Sequence, residues 1–306
     1  MKDGMLQRIL HARSTWLDPA TGRELPHTAL MQDLAKRRVV LLGETHTNYE
    51  IHRWQLHVAS ALHTLHPDIA IGFEMFPRAK QQVLVHWVAG KLTTEAFLQA
   101  VDWPTVWGYD AALYLPLFHF CRQQRVKMLA LNCHRPLVTR VGKEGWAAIP
   151  ESERDGLTPS AEAKPAYRKH LFEIMGSTGA PMKATSPEDP VLDRFIRAQQ
   201  TWDRAFACNI AYALEREPAS LIIGIIGSGH LQYGHGTPYQ LRDLGVENLS
   251  VLLPTFEANH DSHKIAGIAD AIFRLDDIEP QAPLPPRMQA IVDARRAEQE
   301  KATRQG

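Results

Sequence analysis

Arg38-Val39-Val40-Leu41-Leu42-Gly43-Glu44-Thr45-His46 is a short apolar, β-branched run that ends in glycine and passes at once into an acid, a hydroxyl and an imidazole. An apolar run without polar alternation reads as a strand buried on both faces of a parallel sheet. Residues 47–66 then take helical spacing, with Ile51, Val58, Leu62 and Leu65 on one face, and Pro67-Asp68 closes them. Ile69-Ala70-Ile71-Gly72-Phe73-Glu74-Met75-Phe76 is a second run of the first kind. Strand, helix and strand with short links make a βαβ unit. The fold class expected is therefore α/β, a largely parallel sheet flanked by helices.

The rest of the chain continues the alternation. Residues 77–124 are helical in pattern, broken at Gly90, Pro104 and Gly108, and are expected to form a helical subdomain over the strand C-terminal ends. Residues 126–131 read as a third strand and 134–145 as a short helix. Residues 150–190 read as a loop-rich insertion with one helical piece near 167–175, and 191–216 as a long helix. Leu221-Ile222-Ile223-Gly224-Ile225-Ile226 is the clearest strand, and 249–253 and 272–275 are expected to be further strands. The organisation expected is an extension over 1–37, one domain over 38–280 with helical insertions at about 77–124 and 145–217, and a surface tail over 281–306.

Composition narrows the function. Lys plus Arg and Asp plus Glu are 34 each, so the formal net charge is zero and no basic excess points to nucleic acid. Cys121, Cys133 and Cys208 are too few and too scattered for a disulfide framework or a thiolate zinc site. No run of about 18 apolar residues predicts a spanning helix. The first residues carry no signal-peptide core, so a cytoplasmic location is expected. No G-x-G-x-x-G, P-loop, H-E-x-x-H or G-x-S-x-G motif appears.

Parallel sheets bind ligands outside the carboxyl ends of their strands. Three strands should deliver polar groups to that edge: Gly43-Glu44-Thr45-His46 after the first, Glu74 near the end of the second, and Gly227-Ser228-Gly229-His230 after the fourth, while Asn132 ends the third. Gly-x-x-His occurs twice, each time after an apolar strand. His46 and His230 with Glu44 or Glu74 are a plausible first shell for a divalent metal such as zinc, which would act as a Lewis acid or a source of hydroxide. The plainer alternative is that Glu44 and His46 cap the following helix. Trp103, Trp107, Tyr109 and Tyr114 cluster near Gly108. They could line a flat apolar pocket in which a tyrosine ligates ferric haem iron, or could simply form the core of the helical region.

Read together, these segments resemble the ChaN-type haem-binding proteins of the Tiki/TraB superfamily. The resemblance rests on Leu41-Leu42-Gly43-Glu44-Thr45-His46 with His52 and Gln55, and on Gly72-Phe73-Glu74-Met75-Phe76 with Gln81 or Gln82. Trp103-Pro104, Gly108-Tyr109-Asp110, Tyr114-Leu115-Pro116, Leu131-Asn132, Gln200, Asp203 and Ile226-Gly227-Ser228-Gly229-His230 continue it, followed by Gly234-His235-Gly236-Thr237-Pro238. It runs in order from about residue 38 to 255. It implies haem binding in iron acquisition, with tyrosine on iron and the haems shared across a dimer. Tyr109 and Tyr114 are the alternative iron ligands, Trp107 lines the site, and Arg78, Lys80 and Arg135 are candidates for the propionates on charge alone. The wider superfamily implies a second use of the same edge: a metal-dependent hydrolase, of peptidase or esterase type, in which Glu44 or Glu74 activates water. Many relatives are lipoproteins, which leaves a periplasmic or membrane-associated place open.

Overall fold

The computed structural model describes residues 14–177, 184–216, 221–257, 265–276 and 281–304. Its strands are β1 (Trp16–Leu17), β2 (Glu24–Leu25), β3 (Val39–Glu44), β4 (Ile69–Pro77), β5 (Lys127–Asn132), β6 (Leu221–Gly227), β7 (Leu249–Thr255) and β8 (Ala271–Arg274). They form one sheet in the order β2-β1-β8-β7-β3-β6-β4-β5. From β8 to β5 all neighbours are parallel, and β1 is antiparallel to both β8 and β2. The helices are α1 (His27–Leu34), α2 (Tyr49–Leu65), α3 (Gln81–Val88), α4 (Thr94–Val101), α5 (Trp103–Val106), α6 (Leu115–Gln124), α7 (Arg135–Glu144), α8 (Pro165–Ser177), α9 (Asp193–Arg216), α10 (Thr237–Asp243) and α11 (Pro286–Arg304). Among the described residues no helix is long and apolar enough to cross a membrane.

The apolar runs are buried on both faces because alternate side chains serve two cores. Val40, Leu42, Ile71, Phe73, Ile223 and Ile225 pack with Ile51, Trp54, Val58 and Leu62 of α2 and with Phe97 and Phe118 of the helical region. Val39, Leu41, Ile222 and Ile226 face Phe206, Ile210 and Leu214 of α9 and Leu241 of α10. Asn48 caps α2, its side chain accepting from the Ile51 amide at 3.1 Å.

The described part of the expected extension is integral to the sheet. Trp16 and Leu17 are each 2% exposed, and β1 pairs with β8. Trp16 lies 4.7 Å from Phe273, ring centre to ring centre. The tail is also anchored: Ala282 is 6% exposed, and its amide donates to the Thr47 carbonyl at 2.8 Å.

β6 sits between β3 and β4, although it follows both in the chain. Strand order therefore reverses around β3, β6 and β4, where parallel sheets open a crevice at their carboxyl ends.

Candidate functional site

Glu44 ends β3 and is 3% exposed. A carboxylate so buried needs donors around it. The Tyr114 hydroxyl donates to its Oε1 at 2.8 Å, His46 Nδ1 lies 2.7 Å from the same oxygen, and the Gln55 amide donates to Oε2 at 3.2 Å. His52 Nδ1 stands 3.6 Å from Oε2. Burial alone would raise the pKa of Glu44, but the charge of His52, the bond and charge of His46 and the bond from Tyr114 together outweigh it. The result is a carboxylate held down to about 2. Burial also opposes charge on His46, yet its bond to Glu44 and the carboxylates of Glu44 and Glu74 raise its pKa. On His52 burial prevails and the pKa falls, despite the nearby Glu44.

Glu74 lies where the register of β4 against β5 shifts, between Phe73 and Pro77. Such an irregularity re-aims side chains at a sheet rim. Its Oε2 accepts the Gly227 amide at 2.5 Å, and the Asn132 side chain donates to its carbonyl at 2.9 Å. A Cβ on Gly227 would stand 3.2 Å from His46 Cε1 and 3.3 Å from Glu74 Oε2. Glycine at the end of β6 leaves room for both groups beside it.

His230 follows β6 in a 3-10 turn, with Nδ1 2.9 Å from Asp203 Oδ1. Asp203 is fully buried on α9 and also accepts the Tyr167 hydroxyl at 2.5 Å and the Thr237 hydroxyl at 3.0 Å. Burial pulls the pKa of His230 down, but Asp203 and then Glu74 carry it up to about 9. His46 and His230 repel each other electrostatically, and Glu74 attracts both. The ends of β3, β4 and β6 thus meet as their parallel direction requires.

The expected metal shell does not assemble from them. Among the described residues no group of three or more His, Cys, Asp or Glu side chains is arranged to hold a metal ion. Glu44 is occupied by Tyr114, His46 and Gln55, Glu74 by a backbone amide, and each histidine gives one nitrogen to a carboxylate.

Beside this network stands an aromatic wall. The rings of His46 and Trp107 lie 4.7 Å apart edge-on, those of His46 and Tyr109 5.1 Å, and those of Trp107 and Tyr109 5.3 Å. All three side chains are partly exposed. Among the described residues the Tyr109 hydroxyl makes no hydrogen bond. Burial, then Glu74 and Glu44, raise its pKa and hold the phenol in its neutral form. The Trp107 indole N–H is buried beside the Tyr114 hydroxyl but has no acceptor in bonding geometry. Tyr114 is fully buried with its hydroxyl committed to Glu44. Arg78 donates to the Asp155 carbonyl at 3.3 Å and lies 5.0 Å over the Tyr212 ring. Arg135 is exposed at the start of α7.

The positioning role of Asp203 and the hold of Tyr114 on Glu44 were beyond sequence reading, since both join elements far apart in the chain. A cavity of about 580 Å³ lies behind the turn after β6, lined by His170, Tyr233, His235 and Ile268 among others. None of the expected site residues lines it.

A family described as haem-binding uptake, Tiki superfamily, ChaN, matches residues 30–241. A solved structure titled cofacial heme binding to ChaN of Campylobacter jejuni superposes with a TM-score of 0.66, at 20% identity, over 84% of this chain and 95% of that one. At that identity the likeness shows the fold alone. The type III effector HopBA1 (TM-score 0.47, 11% identity, 81% and 92% of the two chains) is more distant. So is a mutant of the erythromycin esterase EreC (0.47, 12%, 78% and 76%), and neither bears on function. No curated protein sequence matches the chain. With more than half its length matched, this chain belongs to the ChaN family of haem-binding uptake proteins in the Tiki superfamily.

Proposed function

We propose that the protein binds ferric haem against the wall of His46, Trp107 and Tyr109, with the Tyr109 oxygen on iron, in the handling of haem during iron uptake. The observation that carries this reading is the half-buried Tyr109 phenol with no protein partner among the described residues. Membership of a haem-binding family supports it. The residues present fit the group: an unbonded phenol, flat rings for an apolar macrocycle, and a buried indole N–H without an acceptor. Bound haem would supply a ferric ion that accepts an anionic oxygen ligand. The chain supplies the phenol, the wall, and in Glu44 and Glu74 the negative field that favours a cation beside it. A flat ligand held on one face leaves its other face for a second copy of the chain, which favours a symmetric dimer.

Hemin titration with elemental analysis tests the reading. The expected result is stoichiometric uptake with a ferric-tyrosinate spectrum that Tyr109→Phe removes and Tyr114→Phe keeps. An unaltered spectrum in Tyr109→Phe overturns the ligand choice, and no hemin uptake by the wild type overturns the function.

A further inference from the structure

Residues 281–287 cross the aromatic wall rather than trail from the domain. The Thr47 hydroxyl donates to the Gln281 side chain at 3.0 Å, and the Ala282 amide donates to the Thr47 carbonyl at 2.8 Å. Thr47 directly follows His46. Farther along, a Cβ on Gly108 would stand 3.4 Å from Pro285 Cβ, and Gly108 has φ +82°, a conformation that itself favours glycine. Gly108 lies between Trp107 and Tyr109. The segment is therefore bonded to the backbone beside His46 and packed on the backbone between Trp107 and Tyr109.

Two residues past Pro285, at most ~7 Å of chain, α11 brings the exposed guanidinium of Arg287 to the rim. Its charge reaches Arg135, which starts α7 three residues beyond the end of β5 at the same edge of the sheet. After burial, the charge of Arg287 is what depresses the pKa of Arg135. Neither arginine has an ion-pair partner among the described residues. Two like charges with no acid paired to either among the described residues raise each other's energy, and an anion between them lowers it.

We infer that Arg287, carried by the 281–287 segment, and Arg135 form a paired carboxylate receptor that takes the propionates of the bound porphyrin. This rests on the haem reading above. Haem carries two carboxylates on one edge, and a planar guanidinium matches a carboxylate with two parallel hydrogen bonds. The iron then meets Tyr109 while the acidic edge meets the arginines, which fixes the rotation of the macrocycle in its plane.

The test uses the full chain and two ligands, hemin and hemin dimethyl ester, which has the same macrocycle without the charges. Wild type is expected to bind hemin more tightly than the ester. Arg135→Gln with Arg287→Gln is expected to weaken hemin binding roughly tenfold, as for two partly exposed charge-assisted contacts. Ester binding and the tyrosinate spectrum should be unchanged. Equal affinity of wild type for the two ligands, or unchanged hemin affinity in the double variant, overturns the inference while leaving the haem reading intact. Wild type that binds neither ligand overturns both.

Discussion

Replacing Asp203 with Asn should remove a pH dependence that the fold builds around His230. The groups facing this imidazole are Asp203 of α9, Glu74 of β4 and His46. Tyr167 of α8 and Thr237 of α10 hold Asp203 from behind. With a folded pKa raised to about 9 against an ordinary 6.5, His230 contributes stability that is complete below pH 6.5 and lost as pH rises through 9. A difference of about 2.5 units corresponds to about 3 kcal/mol. In Asp203→Asn the largest cause raising the pKa is gone, burial is opposed only by Glu74, and the pKa of His230 falls. Urea unfolding across pH 6–9.5 measures the effect. The gap between wild type and variant should be widest near pH 6 and shrink by about 3 kcal/mol toward pH 9.5, leaving a constant remainder from the altered bonds to Tyr167 and Thr237. Parallel stability curves, or a His230 ring proton titrating near 6.5 in the wild type, would refute the assigned coupling.

Other changes have equally definite outcomes. Glu44→Gln should flatten the acid limb of the stability profile. The wild-type carboxylate, lowered to about 2 from 4.5, contributes about 3 kcal/mol above pH 4.5, which is lost as pH falls through 2. Urea midpoints at pH 5 and pH 2.5 measure it. Tyr114→Phe leaves Glu44 short of a buried donor and should cost about 1–3 kcal/mol in chemical unfolding, while Tyr109→Phe should stay within ~0.5 kcal/mol of wild type. Gly227→Ala places a methyl 3.2 Å from the His46 ring and should weaken hemin binding and cost about 1–3 kcal/mol, both read on the same preparation. Trp16→Ala should cost about 3–5 kcal/mol in thermal or urea unfolding, because the indole is sealed between Trp54 and Phe273; a change below ~1 kcal/mol would mean that β1 is dispensable.

The central strands were legible because β3, β4 and β6 are continuous apolar runs that can only be buried twice over. The convergence of Glu44, Glu74 and His230 followed from their common direction. The outermost strand β2 and its neighbour β1 hold two residues each, too few to display a period. What holds each polar group was hidden as well: Tyr114 reaches Glu44 across 70 positions and Asp203 reaches His230 across 27. The roles of the two tyrosines separate only in three dimensions, where one hydroxyl is committed and the other is not. The terminal segment reads as a charged, proline-rich tail because its contacts, to Thr47 and Gly108, are made by backbone and by proline rather than by an apolar stripe.

The placement of β6 also bears on biosynthesis. The strand that separates β3 from β4 leaves the ribosome about 150 residues after them, so the first βαβ unit of the nascent chain cannot adopt its final spacing. Sheet closure must await a contact of very long sequence separation, the kind that slows folding and leaves unpaired edges in reach of other chains. The carboxylates of Glu44 and Glu74 are brought to a common rim only when Gly227 arrives. Such a chain should depend on chaperones during synthesis, and should gain its ligand only after release.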